Sequence, residues 1–433
     1  MRVPKPWYFF VLVVPFGVSF GFVSVALPYV ARQKGIPVET ISGVVAAAFA
    51  LHGFKVLWAP IVDATLTRKT WYVIALALLA AGTFAMMAMP ITASSIPALK
   101  GVVVASQVGL TLLYMACEGT LGRAVPVEKK STAASWLQAG SFLGLGVGGG
   151  LAIELVSRLP GTIAGAIVAA GLSLCALPLL GFDEPPEQEK HGMARAMVEL
   201  GRDLWGLLRT SSGIVAILFA VSTIQTGAAS ALFSAIAEDW HASRELVETT
   251  NGWLAGIVQA SGAGLGGWAM KRVDRRVTFM GAGGLTAVMG ISLALGPRAP
   301  WAYATFTLVY NLFVGSAYAG FAAFMYATIG KKSVATKYNI LASLMNFSIS
   351  YKLGILGKAS KRYGTSGLLF TDAALTLGGI ALMLVVIAIA AKLAPSEPAS
   401  SHAESRGRRR PPAPRSDASR RRRRAASGPG RTR

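Results

Sequence analysis

The strongest constraint on this chain is a series of apolar stretches, each about 20 residues long, running from Trp7 almost to Ala394 with mostly short polar breaks. About 20 residues of helix span the hydrocarbon core of a bilayer, and inside it a helix satisfies all of its own backbone hydrogen bonds. A transmembrane barrel would instead show alternating segments of about ten residues, and none is present. The chain is 53% hydrophobic and 14% charged, with mean hydropathy +0.52, whereas a soluble domain carries about 25% charged residues. The expected fold class is an all-α membrane protein. Twelve spans are predicted, near 7–30, 40–62, 71–90, 98–122, 131–156, 161–182, 213–237, 246–270, 277–296, 300–328, 335–356 and 367–392. The first lacks an Ala-x-Ala cleavage site and reads as a retained span, not a signal peptide.

A duplication organises these spans. Residues 59–69, a charged loop between two apolar stretches, return in altered form 208 positions later around Gly267 to Arg276. Asp63 and Arg68-Lys69 answer to Lys271-Arg272 and Asp274-Arg275-Arg276. The second copy has Lys271 where the first has its acid, so the two loops are not equivalent. Two six-span halves built as parallel repeats are expected: residues 1–182 and 213–394. Residues 183–212 link them. Within that linker Met193, Met197, Leu200, Leu204 and Leu208 recur at helical spacing beside Arg195, Arg202 and Arg209, which predicts an amphipathic helix on the cytoplasmic membrane surface. Residues 395–433 are rich in Ser, Pro, Ala and Arg without apolar periodicity and read as a disordered basic tail.

Charge placement sets the orientation. One set of loops carries 18 Lys and Arg and the opposite set nine, before the tail is counted, which predicts cytoplasmic termini and a multi-pass protein of the cytoplasmic membrane. Net charge is +22, of which the tail holds +9. Anionic lipid is the expected partner of the Arg420–Arg424 run, with no specific nucleic acid. Cys117 and Cys175 fall inside spans and form no metal-type spacing. No metal and no cofactor are called for, and a monomer is expected.

An ionisable group inside a bilayer costs about 2.5–3.5 kcal/mol on insertion scales, so each one needs a reason. Lys55 lies in the second span, with His52 one turn deeper, and Glu118 in the fourth. Lys55 is a candidate cation for an anionic solute; its plainer explanation is snorkelling or pairing with an acid. Glu118 is a candidate proton-coupling carboxylate, since alternating access would change its solvation; otherwise it pairs with Lys55 or Arg123. His52 is a second candidate proton site, or simply a buried, hydrogen-bonded histidine. Lys352, Glu154 and Asp372 are expected to be interfacial anchors. Asp63, Arg68, Lys271, Arg272 and Asp274 are candidate gating residues that bridge the halves in one state and part in another. Tyr114, Gln225, Tyr310 and Asn311, at mid-depth in corresponding spans, are candidate solute-binding groups; alternatively they make helix–helix hydrogen bonds worth about 0.6 kcal/mol.

Some patterns carry less than they suggest. Gly144-x-Gly146-x-x-Gly149 matches a dinucleotide fingerprint but has no preceding strand. Gly140, Gly144 and Gly148, like Gly262 and Gly266, read better as faces for close helix packing. Asn346-Phe-Ser348 sits inside a span and is no glycosylation site. Glu238, Asp239 and His241 are expected at an outer mouth and not around a metal.

The six-plus-six plan resembles the major facilitator superfamily. Phe54-Lys55-Val-Leu-Trp58-Ala59-Pro60-Ile-Val-Asp63 is similar to the signature of AmpG-type muropeptide permeases and the related acetyl-CoA transporters. Ala237-Glu238-Asp239-Trp240 through Asn251-Gly252, then Gly266-Gly267 and Met270-Lys271-Arg272, resemble the same group's seventh and eighth spans. Ser333-Val-Ala335-Thr336-Lys337-Tyr338 is similar to its entry to span 11. The resemblance implies a major-facilitator-type fold, proton-driven import into the cytoplasm, and functional roles at Lys55, Trp58, Asp63 and Glu118. Departures from the group are Leu113-Tyr114 in place of an amide–acid pair, Phe142 in place of an arginine and Lys337 in place of a glutamine.

The expected function is therefore secondary active transport of a polar, anionic small-molecule solute by alternating access, with proton coupling and a muropeptide-like cell-wall fragment favoured. The alternative is another organic anion such as an acyl-CoA, or drug export. An enzyme is not expected, since the chain has only four His and none stands at metal spacing. A membrane sensor signalling through the basic tail would survive loss of Glu118 and fail on tail deletion; a transporter would do the reverse.

Overall fold

A computed structural model describes residues 2–184, 193–224, 227–329 and 334–393; a few side chains within these ranges, Asp63 among them, fall outside the description. Every regular element among the described residues is helical. Among the described residues nine helices are long and apolar enough to cross a membrane, and each of the twelve predicted spans falls on a helical stretch. The first six are Tyr8–Gln33, Val38–Ala64, Arg68–Ala88, Ile96–Ala124, Val127–Arg158 and Gly161–Gly181. Arg275–Leu295 and Pro300–Thr328 are the ninth and tenth.

The difference between nine and twelve lies in the second half. Val334–Leu393 is continuous except at Gly364, whose φ of 67° and ψ of −168° turn the chain between spans eleven and twelve, a conformation that favours glycine. The seventh span is broken: Ser211–Val221 ends, irregular backbone follows, and short helical turns resume at Ala229 and run to Trp240. The eighth opens with Arg244–Val247 and a π-helical turn, Glu248–Trp253, before Leu254–Ala269.

Local sequence explains where helices start. Thr67, Thr210, Ser243 and Asp274 each accept a backbone N–H of the following first turn, satisfying donors that a helix start leaves open. Pro97 and Pro300 occupy first-turn positions, where no backbone N–H is needed.

Lipid is as apolar as leucine, so spans associate mainly through close packing. The glycine faces expected from sequence provide it. A Cβ built on Gly140, Gly144 or Gly148 would lie 2.2, 2.5 or 1.9 Å from the carbonyl oxygens of Phe10, Val14 and Val18 in the first span. In the second half, a Cβ on Gly262 or Gly266 would lie 1.9 or 2.6 Å from those of Leu312 and Ser316 in the tenth. The same device joins spans one and five and spans eight and ten.

Buried apolar side chains form one cluster within the first half, around Tyr72 and Leu110, and another within the second, around Phe219, Phe279 and Phe321. A third is shared, with Phe22, Val45 and Phe49 packed among the cluster's Phe233, Trp240 and Tyr303. The linker helix forms over Met193–Leu208. Leu200 and Leu207 pack onto the second-half core, while Met197, Leu204 and Leu208 stay exposed. The described residues up to Ala388 form one compact unit, and the basic tail from residue 394 lies outside the described residues.

Candidate functional site in a cavity between the halves

A cavity of about 300 Å³ opens between the halves, with Phe16, Phe20, Phe49, His52, Lys55, Tyr114 and Glu118 on one side and Asn251, Gln259, Asn311, Asn339 and Asn346 on the other. The side chains expected to carry chemistry in the first half thus converge on one space. Lys55 is half-buried and Glu118 is exposed to the cavity, and their opposite charges act on each other across it. Neither is neutralised by direct contact, since no ion pair joins them among the described residues.

His52 is held from behind. Its Nε2 lies 2.8 Å from Gln107 Oε1, while Gln107 Nε2 donates to Ser19 Oγ at 3.3 Å. Because the amide N–H is committed to the serine, its oxygen accepts from His52. That assigns the proton to Nε2 and leaves Nδ1 as an acceptor. Trp58 donates from Nε1 to Thr111 Oγ1 at 3.2 Å, which fixes a cavity-lining hydroxyl. His52 and Trp58 lie on the second span, six residues apart, with Lys55 midway between them.

The opposite wall carries five amide side chains among apolar residues. Gln259 Nε2 donates to Asn311 Oδ1 at 2.8 Å, and Asn311 Nδ2 donates to Thr307 O at 2.9 Å. Asn251 gives its N–H to the Tyr303 hydroxyl, which donates in turn to Phe233 O at 3.0 Å. Asn251 Oδ1 is buried without a partner among the described residues, an acceptor available to a donor brought by a solute. Aromatic faces (Phe16, Phe20, Phe49 and Tyr114) together with amide dipoles suit a solute that is part ring and part polar group.

Several expectations need correction. Tyr310 is buried away from the cavity and donates to Asp372 Oδ2 at 3.0 Å. Lys352 and Asp372 are not interfacial anchors: they form an ion pair at 2.8 Å with side chains 1% and 0% exposed. Both face helices instead of water, and neither would be tolerated there alone. Glu154, the third expected anchor, pairs with Arg158 and with Arg244. Gln225 and the Asp63 side chain lie outside the described residues.

The expected gating residues make local contacts. Arg68 is buried, and the backbone N–H groups of Arg68 and Lys69 donate to the Glu184 carboxylate at 2.6 and 3.1 Å. That carboxylate sits at a helix N-terminus, where it is favoured. Lys271, Arg272 and Asp274 are exposed; Arg272 stacks over Trp268, and Asp274 caps the next helix.

Charges do bridge the halves, but at the end opposite the N-terminus. Arg32 pairs with Glu238 at 3.6 Å, Glu39 with Lys361 at 3.0 Å and Glu154 with Arg244 at 3.2 Å. Beneath these pairs two π-helical turns meet: a Cβ on Gly252 would lie 2.6 Å from Gly150 N. Glu238 and Asp239 are thereby accounted for, Asp239 accepting from Thr365. His241 adopts a left-handed turn at φ 53°.

The amide wall is what sequence reasoning missed. Of the five, only Asn311 was a candidate for solute binding. Asn251 and Gln259 are eight residues apart and Asn339 and Asn346 seven, two helical turns in each case, so each pair shares a face.

A multi-pass helical protein built in two parts around a solute-sized cavity lined by apolar and polar side chains belongs to the class of membrane transporters. The chain belongs to the Major Facilitator Superfamily, whose family model matches residues 9–357. The nucleoside transporter NupG superposes with a TM-score of 0.68 at 14% identity, covering 88% of this chain and 98% of that one. A D-xylose-proton symporter gives 0.69 at 12% identity, covering 88% and 96%. A POT family transporter in complex with thioalcohol conjugated peptide gives 0.66 at 11%, covering 89% and 96%. A search for curated relatives by sequence found no match.

Proposed function

We propose that this transporter moves a polar, anionic solute, a muropeptide-like cell-wall fragment foremost, into the cytoplasm by proton-coupled alternating access across the cytoplasmic membrane. The observation that carries the reading is the two-sided cavity, with a cation and a carboxylate on one wall and amides on the other. Lys55 attracts the anionic group, Glu118 takes and releases the proton, His52 relays it, and Asn311 with Gln259 holds hydroxyl or amide groups of the solute. Proton coupling gains support from a structural neighbour described as a D-xylose-proton symporter.

The three ion pairs and the glycine contact at the far end support an inward-facing conformer, closed on the outside. On this reading the bridging charges of the present state are Arg32, Glu39 and Glu154 with their partners, and the loops at Asp63 and Lys271 become the inner gate of the other state. The deciding experiment is uptake into proteoliposomes under an imposed pH gradient, comparing an anhydro-muropeptide, an acyl-CoA and simple sugars. Gradient-independent uptake would remove the proton role of Glu118. Absence of muropeptide uptake would remove that substrate and leave the transporter reading standing.

A further inference from the structure

A break in a membrane-spanning helix strands backbone carbonyls, and within a bilayer these must find partners from neighbouring helices. In the seventh span three carbonyls beside the break do. Phe219 O accepts from Ser222 Oγ at 2.8 Å, Val221 O from the Tyr351 hydroxyl and Thr223 O from Lys352 Nζ at 3.2 Å. Thr223 Oγ1 returns a hydrogen bond to Leu375 O. Two adjacent residues of the eleventh span thus cap the broken end.

Lys352 is itself fixed on every side. Its ammonium pairs with Asp372 Oδ1 at 2.8 Å and donates to Thr376 Oγ1 at 2.8 Å. Tyr310 holds the other carboxylate oxygen of Asp372 at 3.0 Å, and Thr376 donates to Asp372 O at 2.8 Å. This network joins the tenth, eleventh and twelfth spans to the break. None of its charged members lines the cavity, yet Gly227, Ser230 and Ala231, shortly after Thr223, do. The same turn of the eleventh span touches the first half: Ser350 Oγ donates to Ala46 O at 2.7 Å, and Ser42 Oγ donates to Leu353 O.

We infer that Lys352 and Asp372 are positioning residues, a buried charged pin that sets the break of the seventh span and, through it, the second-half wall of the cavity. Stability alone does not account for such a pair, because replacing a buried ion pair with apolar groups of similar size is often neutral or stabilising. What an apolar pair cannot do is reach the Thr223 carbonyl. Because Ser350 and Leu353 bond to the second span, a shift between the halves at this contact is delivered to the break and to the wall beyond it. The inference concerns the shape of the protein and requires no identified solute.

The test is hydrogen–deuterium exchange of the backbone amides of residues 219–224 in the purified full-length chain. Lys352→Met is expected to raise exchange there about tenfold, the scale of losing a charge-assisted hydrogen bond. The deciding variant is Lys352→Met combined with Asp372→Leu, which leaves no uncompensated charge. Exchange at 219–224 is expected to remain about tenfold above that of the parent, while the rest of the second half returns to parental values. Parental exchange at 219–224 in the paired variant would overturn the inference, since the charges would then only neutralise each other. Should the paired variant fail to fold, Thr376→Val loosens the hold on the Lys352 ammonium without leaving a charge unpaired. Unchanged exchange in that variant would overturn the inference as well.

Discussion

The two walls of the cavity come from corresponding parts of a duplicated plan, yet they handle charge in opposite ways. In the first half Lys55 and Glu118 face the cavity without a direct ion pair. In the second half Lys352 and Asp372 face each other, buried, and leave the cavity to neutral amides. A charge that is already paired has little left to offer a solute, whereas one facing a water-filled cavity keeps its field available. On the proposed function, charge recognition and coupling fall to the first half, and shape and neutral hydrogen bonding to the second.

The sharpest way to break this division is Glu118→Gln. If the first half carries coupling, uptake driven by a pH gradient falls on the order of a hundredfold, as when a proton-transfer group is lost. Exchange of solute across the membrane without a gradient persists. Loss of both activities together would make Glu118 a structural or binding residue. Next in size is Lys55→Met set against Gln259→Ala. Removing the cation is expected to weaken binding of an anionic solute by about 2 kcal/mol, roughly 30-fold, whereas removing the amide costs about 1 kcal/mol. Binding measured by calorimetry in detergent separates the two, and equal losses would erase the distinction between the walls.

Packing provides the opposite test, because here the halves are alike. Gly148→Ala and Gly262→Ala each bring a Cβ to 1.9 Å from a carbonyl oxygen of a facing span. Each is expected to cost about 1–3 kcal/mol by overpacking, read as a fall in melting temperature of similar size. A large cost in one half and none in the other would mean that close glycine packing holds the bundle in only one of them.

How much of this could be read from sequence follows the same line. Span positions and the glycine faces were legible because both rest on local periodicity: about 20 apolar residues, and small residues every four. Lys55, Glu118 and His52 were legible because an ionisable group in a span needs a reason. Lys352 and Asp372 were misread because depth in a bilayer cannot be judged one helix at a time. Twenty residues separate them, across a turn at Gly364, and only packing brings them to 2.8 Å. Tyr310 was misassigned for the same reason, since its partner comes from another span. The amide wall was hidden because asparagine in a helix has many ordinary explanations. The far-end ion pairs could not be read at all, as each joins residues 90 to 322 positions apart, so attention fell on the repeated charged loops instead.

The smallest expected effect concerns how the first half is tied at its ends. Arg2 donates its backbone N–H to Asp183 Oδ2 at 2.7 Å and its side chain to Oδ1 at 3.3 Å, while Asp183 N donates to Arg2 O at 2.9 Å. The backbone hydrogen bond first, and the guanidinium beside it, hold the Asp183 carboxyl below its usual range. A carboxyl whose value is lowered on folding contributes stability that is fully present above its unfolded value, about 3.9, and that disappears as pH falls through the lower folded value. The clasp is therefore intact at neutral pH and loosens only in acid. Both side chains are exposed and the pair is screened by salt, so the contribution is small. Hydrogen exchange of residues 2–8 is expected to be flat from pH 7 to about pH 5, after correction for intrinsic rates, and to rise below about pH 4. Asp183→Asn is expected to abolish that rise by removing the titrating group. A rise already complete at pH 6 would assign the clasp to a different group.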